Sequence, residues 1–530
     1  MTVFTDKISS VFGFDRERDG FELIETERGE PDPFSFRRNA KREDAPEKER
    51  FPRSVGEACE TWKLAFRTDV NKDLVLRRFS VGGRRDALAV FMNGMASDEK
   101  INEFILKPLM ATDKTETEAL ILEVIRIGEI SRSSDMKEIK SGVMDGLTAL
   151  FLDGEAQCLM LETHGYEKRS VGPAQNEQVV RGPKESFTES FKTNVTLIRR
   201  ILHVEDLVVE TRSAGGENNV KLALVYREGL ANPTLVNEVK RRLARAKLKT
   251  VASSGITEQL IEDSSLFPLP QILSTERPDR AASHVNEGCV CVIVEGSPYA
   301  LVMPITFFTL MNSPEDVYMR RPLGTLLRVV RYLGALVSVL LPGYFLALAL
   351  YHQGMLTTEV LSTVMASRRM VFEPIGAEMI LLLLIFQMIR EAGLRVPGGI
   401  GQAIGIIGGL IMGQAAVAAH LASSVVLIIV AASGLGNFCI PDYSTQIAAA
   451  YFRIALVIAA WLAGLVGMLS AALLALMLLA GMKSFGVPFL SPFAPRTYSK
   501  KPFMLRGRIL VNARAEDYLN TSEDKKAASQ

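Results

Sequence analysis

Apolar and polar positions follow two different regimes along this chain. Up to about residue 320, short apolar runs sit among charges, whereas from about 330 to 482 apolar residues are nearly continuous. In the first regime, residues 73–79 and 87–92 read as strands, Gly82-Gly83 between them predicts a turn, and residues 100–110 read as a helix. The same order returns downstream. Asp73-Leu74-Val75 recurs as Asp206-Leu207-Val208, Gly82-Gly83 as Gly215-Gly216, and Ala89-Val90-Phe91 as Leu224-Val225-Tyr226. Gly94-Met95-Ala96 recurs as Gly229-Leu230-Ala231 and Asn102-Glu103 as Asn237-Glu238; the offset grows from 133 (73 to 206) to 135 (102 to 237). Two partial copies do not make a solenoid. They predict two related α/β subdomains, 54–170 and 186–323, joined by a linker at 171–185 that carries Gly172-Pro173 and Gly182-Pro183. A helix is expected at 188–202 and a buried strand at 289–294. The leader 1–53 is charged and reads as a mobile tail.

The second regime predicts an all-α polytopic membrane domain over 324–496, followed by a polar tail at 497–530. Residues 332–351 are long enough to span, with a kink expected at Pro342. Residues 377–389 form a run of about 13 residues, shorter than the roughly 20 that a crossing needs, and read as short, amphipathic or re-entrant. Residues 300–310 are apolar but short and read as interfacial or packed on the membrane part. Residues 400–419 and 421–438 are two further apolar runs, and their closeness demands a tight turn around His420. Residues 451–482 exceed one span and read as one tilted helix or two short ones. Four to six membrane segments result.

The segment 396–441 holds no Asp, Glu, Lys or Arg, and inside it Gly401, Gly405, Gly409 and Gly413 fall four apart. On a helix they form one stripe, the pattern that lets membrane helices approach backbone to backbone. Basic residues set the orientation. Arg320, Arg321, Arg328 and Arg331 precede the first span, and Lys483, Arg496, Lys500, Lys501, Arg506 and Arg508 follow the last. Both flanks are therefore expected in the cytoplasm, with an even number of crossings. The absence of an apolar leader segment at the N-terminus and five cysteines without zinc spacing fit that reducing compartment.

A net charge of +1 excludes nothing by itself. The motifs do more: there is no phosphate-binding lysine loop, no H-E-x-x-H and no nucleophile elbow, and the five histidines are scattered. Neither an enzyme, a cofactor, a metal site nor a nucleic-acid partner is implied. Three charged stretches stand out beside the membrane part. Residues 275–279 (TERPD), with Glu276, Arg277 and Asp279, read as a solvated turn or as a hinge coupling the two regions. Residues 315–318, with Glu315 and Asp316, have the same two readings. Residues 390–397 (REAGLRVP), with Arg390, Glu391 and Arg395, lead into the glycine stripe, and charges there often face a cavity or partner.

These stretches together resemble the A subunit of the GerA family of bacterial spore germinant receptors. The resemblance rests on FILKPLM (104–110), RGPKESF (181–187), TERPD (275–279), REAGLRVP (390–397), GGLIMGQAAV (408–417) and SFGVP (484–488), in that order. FPLPQ (267–271) stands where the family has a related proline phrase. A stage V sporulation membrane protein of the same family is the alternative within it. The resemblance implies a receptor in the inner spore membrane with a transporter-like, nutrient-sensing B subunit and a lipoprotein C subunit. It also implies that A subunits oligomerise into a nutrient-gated cation channel. The glycine stripe is compatible with that expectation, and Ile407, Leu410, Gln414 and Val417 are the candidate pore face. A non-conducting scaffold that binds partner subunits is the competing reading.

Overall fold

The computed structural model describes residues 51–52, 54–165, 172–174, 176–214, 220–245, 253–265, 267–395, 409, 411, 413–494 and 519. The leader, Gly215-Gly216, Gly401, Gly405, Ile407 and Leu410 lie outside them, as does most of the polar tail.

The first α/β unit opens with helix α1 (Val55–Phe66), whose Ser54 cap accepts from the Glu57 amide. Five antiparallel strands follow: β1 (Leu74–Val81), β2 (Arg85–Met92), β3 (Ile130–Ser133), β4 (Thr148–Leu152) and β5 (Cys158–Leu161), laid side by side in the order β1-β2-β4-β5-β3. Alternation along β2 serves two cores. Leu88, Val90 and Met92 face α1 with Trp62, while Ala87, Ala89 and Phe91 face Ile101, Ile105 and Leu109 of the helical stretch 98–111. Helix α2 (Met136–Asp145) packs on the α1 side and stops at Gly146, in the left-handed region at φ 102.

The second unit repeats the first. After helix α3 (Phe191–Ile201) come β6 (Leu207–Ala214), β7 (Val220–Arg227) and helix α4 (Pro233–Arg245), then β8 (Leu273–Thr275), helix α5 (Pro278–Glu287), β9 (Val290–Val294) and β10 (Ala300–Met303). The sheet order β6-β7-β9-β10-β8 reproduces that of the first unit strand for strand. Helix α5 ends at Gly288 with φ 104, the counterpart of Gly146. The duplication thus extends past the strand–turn–strand–helix visible in the sequence to all five strands. Residues 300–310 depart from their interfacial reading. Residues 300–303 form β10, hydrogen-bonded on both sides by β8 and β9, and only Phe307–Met311 is helical.

From residue 321 to 481 the long elements among the described residues are helices: α6 (Arg321–Tyr351), α7 (Thr358–Arg368), α8 (Ile375–Arg395), α9 (Ser424–Phe438) and α10 (Tyr443–Gly481). Among the described residues, α6 and α10 are long and apolar enough to cross a membrane. Helix α6 continues through Pro342 as one element from Arg321 to Tyr351. The 377–389 run lies inside the 21-residue α8, because the chain stays helical through its flanking charges and buries Glu378 and Arg390. The turn expected around His420 is present, with His420 at φ 54.

Helix α10 is a hairpin. Ala463 and Gly464 leave helical geometry, Gly464 at φ 59 and ψ −143. A side chain on Gly467 would begin 2.2 Å from the Ala459 carbonyl oxygen, so the second arm runs back beside the first. Ala448 and Phe452 on one arm, Leu478 and Leu479 on the other and Met482 just beyond it join the same core face of the second sheet. The tip lies remote from the sheets, and there the Tyr351 hydroxyl donates to the Trp461 and Leu462 carbonyls freed by the break, at 2.9 and 3.1 Å. Helix α6 ends at this tip after starting beside the sheets; from Arg331 to Tyr351 it rises about 30 Å.

Candidate coupling site between the sheets and the helical bundle

The TERPD turn sits where β8 hands the chain to α5. Pro278 takes the first helical position, where its missing N–H costs nothing, and Arg277 is drawn inward, fully buried. Its guanidinium grips Asp279 with two bonds of 3.1 and 2.8 Å and also donates to the Glu177 and Pro183 carbonyls at 3.3 and 3.0 Å. Glu276 accepts from the Asn176 and Glu177 amides. Arg280 binds the Glu177 carboxylate at 2.8 Å and donates to the Thr309 and Asn312 carbonyls at 3.2 and 3.3 Å. The turn therefore clamps the 172–185 linker from one side and the segment approaching the first long helix from the other.

That segment continues the path. The Tyr318 hydroxyl donates to Asp279 Oδ2 at 2.8 Å. Burial, then the bond to Asp279, pushes the Tyr318 phenol up to about 12, so it remains a donor. The Tyr318 ring also fills the space above Gly182 of the linker. Two residues earlier, Asp316 is fully buried and receives Arg328 Nε at 3.0 Å and Arg331 Nη1 at 2.7 Å to each oxygen. Both arginines belong to α6. Glu276, Arg277 and Asp279 thus form one cluster about the linker, and Asp316, two residues from Tyr318 in the short helix Glu315–Tyr318, ties the same segment to α6. Glu315, at the start of that helix, makes no side-chain bond to either among the described residues.

A second tether holds the C-terminal end of the bundle to the second unit. After α10 the SFGVP stretch forms a small hairpin, Lys483–Ser484 with Val487–Pro488. Buried Ser484 donates to the Gln271 carbonyl at 2.7 Å and accepts from the Ile305 amide at 3.1 Å. Asp263 accepts from the Phe485 amide at 2.7 Å, and the Arg242 guanidinium lies 4.3 Å over the Phe485 ring. FPLPQ and SFGVP, far apart in the chain, therefore meet through Gln271 and Ser484.

Arg390 lies apart from these tethers, inside the bundle. It meets the α9 face at Asn437, whose amide accepts from Arg390 Nη1 at 2.6 Å in the orientation that satisfies both its ends. One turn earlier, Ser433 accepts from Arg453 of α10 at 3.1 Å and donates to the Ser338 carbonyl of α6 at 2.8 Å. Arg390 and Arg453 are both buried, and Arg390 Nε and Nη2 and Arg453 Nε have no partner among the described residues. Glu391 is half-buried, and the Arg395 side chain lies outside the described residues. In the glycine stripe, a side chain on Gly409 would meet nothing within 4 Å among the described residues, and one on Gly413 would touch Leu427 at 3.5 Å. Gln414 is exposed and Val417 half-buried. The tight glycine contact of the bundle lies elsewhere: a side chain on Gly436 of α9 would begin 2.4 Å from the Gly334 carbonyl oxygen of α6.

Several contributors have no local signal. Glu177 sits in a loop with no pattern, Arg280 reads as an ordinary helix-surface charge, and Arg453 is a single charge inside an apolar run. Its isolation there was the one available signal.

A duplicated α/β unit bonded through buried ion pairs to a bundle of apolar helices defines a protein that joins a folded head to a membrane-type base. Residues 62–517 match the family described as Bacillus/Clostridium GerA spore germination protein. The chain belongs to that family. It is 32% identical to spore germination protein GerLA of Bacillus cereus, over 85% of this chain and 93% of that one. It is 34% identical to spore germination protein B1 of Bacillus subtilis, over 80% and 88%. The solved N-terminal domain of the A subunit of the Bacillus megaterium spore germinant receptor GerK3 is 28% identical, covers 49% of this chain and 98% of its own, and has a TM-score of 0.39.

Proposed function

We propose that this chain is the A subunit of a spore germinant receptor. In this reading 54–170 and 186–323 are cytoplasmic subdomains, and 324–496 crosses the inner spore membrane six times: α6, α8, the segment containing 409–418, α9 and the two arms of α10. Several copies surround a nutrient-gated cation pore whose face includes Ile407, Leu410, Gln414 and Val417. A transporter-like B subunit senses the nutrient and a lipoprotein C subunit completes the receptor. The relatives named as spore germination proteins support the role in germination.

The observation that carries the gating part is the path that runs through bonds from the linker to Arg277, Asp279 and Tyr318, then along two residues of backbone to Asp316, and through its ion pairs into α6. A shift of the head against the bundle must break or move it. The test replaces the native gene with Asp316→Asn in spores and follows nutrient germination and potassium release, with protein level checked by immunoblot. Loss of both at normal level is expected. In parallel, the chain with its B and C subunits is reconstituted in liposomes. Cation flux on nutrient addition is expected, and germination without flux in any reconstitution would establish the scaffold reading instead.

A further inference from the structure

The bundle end remote from the sheets carries a recess of about 250 Å³ formed by the end of α6, by α7 and by the start of α8. Its walls are apolar, with Leu350, Leu361, Val364 and Ile375, while Arg368 and Arg369 stand at its edge. The two arginines differ. Arg368 donates to the Glu373 carbonyl at 2.7 Å and lies 3.6 Å from buried Glu378, which the Ser423 amide binds at 2.6 Å. Its charge is already balanced. Arg369 is exposed and has no ion-pair partner among the described residues. The recess therefore presents one uncompensated positive charge above an apolar floor.

The surroundings say which phase the recess faces. Met370 and Phe372 follow Arg369, and Phe372 is 95% exposed; Leu350 and Tyr351 are exposed on the adjoining face of α6. Large apolar side chains left bare beside paired arginines are the composition of a segment lying in a headgroup layer. Helix α6 places this end about 30 Å from Arg331, one hydrocarbon thickness away. Resting on the membrane reading above, we infer that this recess binds an anionic phospholipid of the leaflet remote from the sheets. The phosphodiester would pair with Arg369 and the start of an acyl chain would lie along Leu361 and Val364. A zwitterionic lipid brings its own cation to Arg369, and a small soluble anion leaves the apolar floor uncovered, so both fit less well.

The test uses the full chain. Its flotation with phosphatidylcholine liposomes checks the membrane reading alone; a chain that fails to float overturns that reading and this inference with it. Native mass spectrometry from mild detergent, with phosphatidylglycerol and phosphatidylcholine in equal amounts, then reads lipid preference. Retention of phosphatidylglycerol is expected, with the preference falling about fivefold in Arg369→Gln, the effect of one arginine at a headgroup surface. Leu361→Trp, which fills the recess and leaves both arginines, is expected to remove the retained lipid. A chain that floats but shows no preference, or an Arg369→Gln variant that keeps it in full, overturns the inference. So does displacement of the lipid by glycerol 1-phosphate, which would make the recess a site for soluble phosphate.

Discussion

At the scale of single residues, the coupling network divides sharply by burial. Arg277 is enclosed and makes four bonds, two of them to a carboxylate. Replacing it by Gln strands Asp279 and two backbone carbonyls, and removing one partner of a buried pair costs about 3–5 kcal/mol. Arg277→Gln should therefore lower the melting temperature of the full chain in detergent and open the 172–185 linker to protease. Tyr318→Phe removes one hydroxyl from a half-exposed site and should cost only about 1 kcal/mol. Its effect is expected in germination rate, because the lost bond joins the clamp to the segment that leads into α6. Equal destabilisation by the two variants would show that the network is not graded by burial. The charged turn itself was legible in the sequence as TERPD. Its partners were not, because Glu177 and Arg280 reach it through tertiary packing that no local spacing encodes.

At the scale of elements, glycines decide how closely helices approach. Spacing alone singles out the stripe at Gly401, Gly405, Gly409 and Gly413, yet within the described residues the intimate contact is Gly334 against Gly436. A stripe is visible in one segment, whereas a contact needs two segments, and Gly334 and Gly436 are far apart in the chain. The two sites give opposite predictions. At Gly436 a methyl group would press on backbone that cannot yield, so Gly436→Ala should part α6 from α9 and cost about 1–3 kcal/mol, read as a lower melting temperature. At Gly409 nothing among the described residues obstructs a methyl group, and Ala is favoured over Gly in a helix by about 1 kcal/mol. Gly409→Ala should leave the monomer as stable or more so. If it nevertheless changes the oligomeric state measured by light scattering in detergent, the stripe packs against another copy. The position of the break in α10 was hidden for a related reason: apart from Arg453, 451–482 is a near-continuous apolar run that reads as one tilted helix or two short ones, and only the folded-back arm shows which glycine turns the chain.

At the scale of the molecule, the paired halves of each sheet were legible as far as their alternation survived. The first two strands of each unit kept matching phrases, and β3 with β8 and β4 with β9 did not, although the topology is the same. Sheet order depends on which faces are apolar, and that constraint tolerates complete exchange of the residues. What the sequence left open was the mechanics of the junction, and here titration offers a handle. Glu258 and Glu262 lie on and just after the helix Ser254–Ile261, near Asp442, the cap of α10. Burial raises both carboxyls to about 7, reinforced at Glu258 by the charges of Glu262 and Asp442 and at Glu262 by Asp263. The unfolded chain would release these protons near 4.5. Between 4.5 and 7 the folded junction thus holds protons that the unfolded chain has lost, so its stability grows as pH falls through about 7 and declines as pH rises towards it. Glu155, held low by the Thr117 hydroxyl and then Arg85, and Glu210 and Glu238, held low against burial by their basic partners, change charge only at more acid pH and stay silent in this window. The melting temperature of the full chain should therefore rise from pH 8 to pH 6. In a Glu258→Gln, Glu262→Gln double variant that rise should flatten, and the variant should melt above the parent at pH 6 and by a wider margin at pH 8, because its neutral amides need no proton uptake on folding. A double variant with an unchanged slope would mean that these carboxylates are ionised throughout and that the junction between head and bundle does not respond to pH.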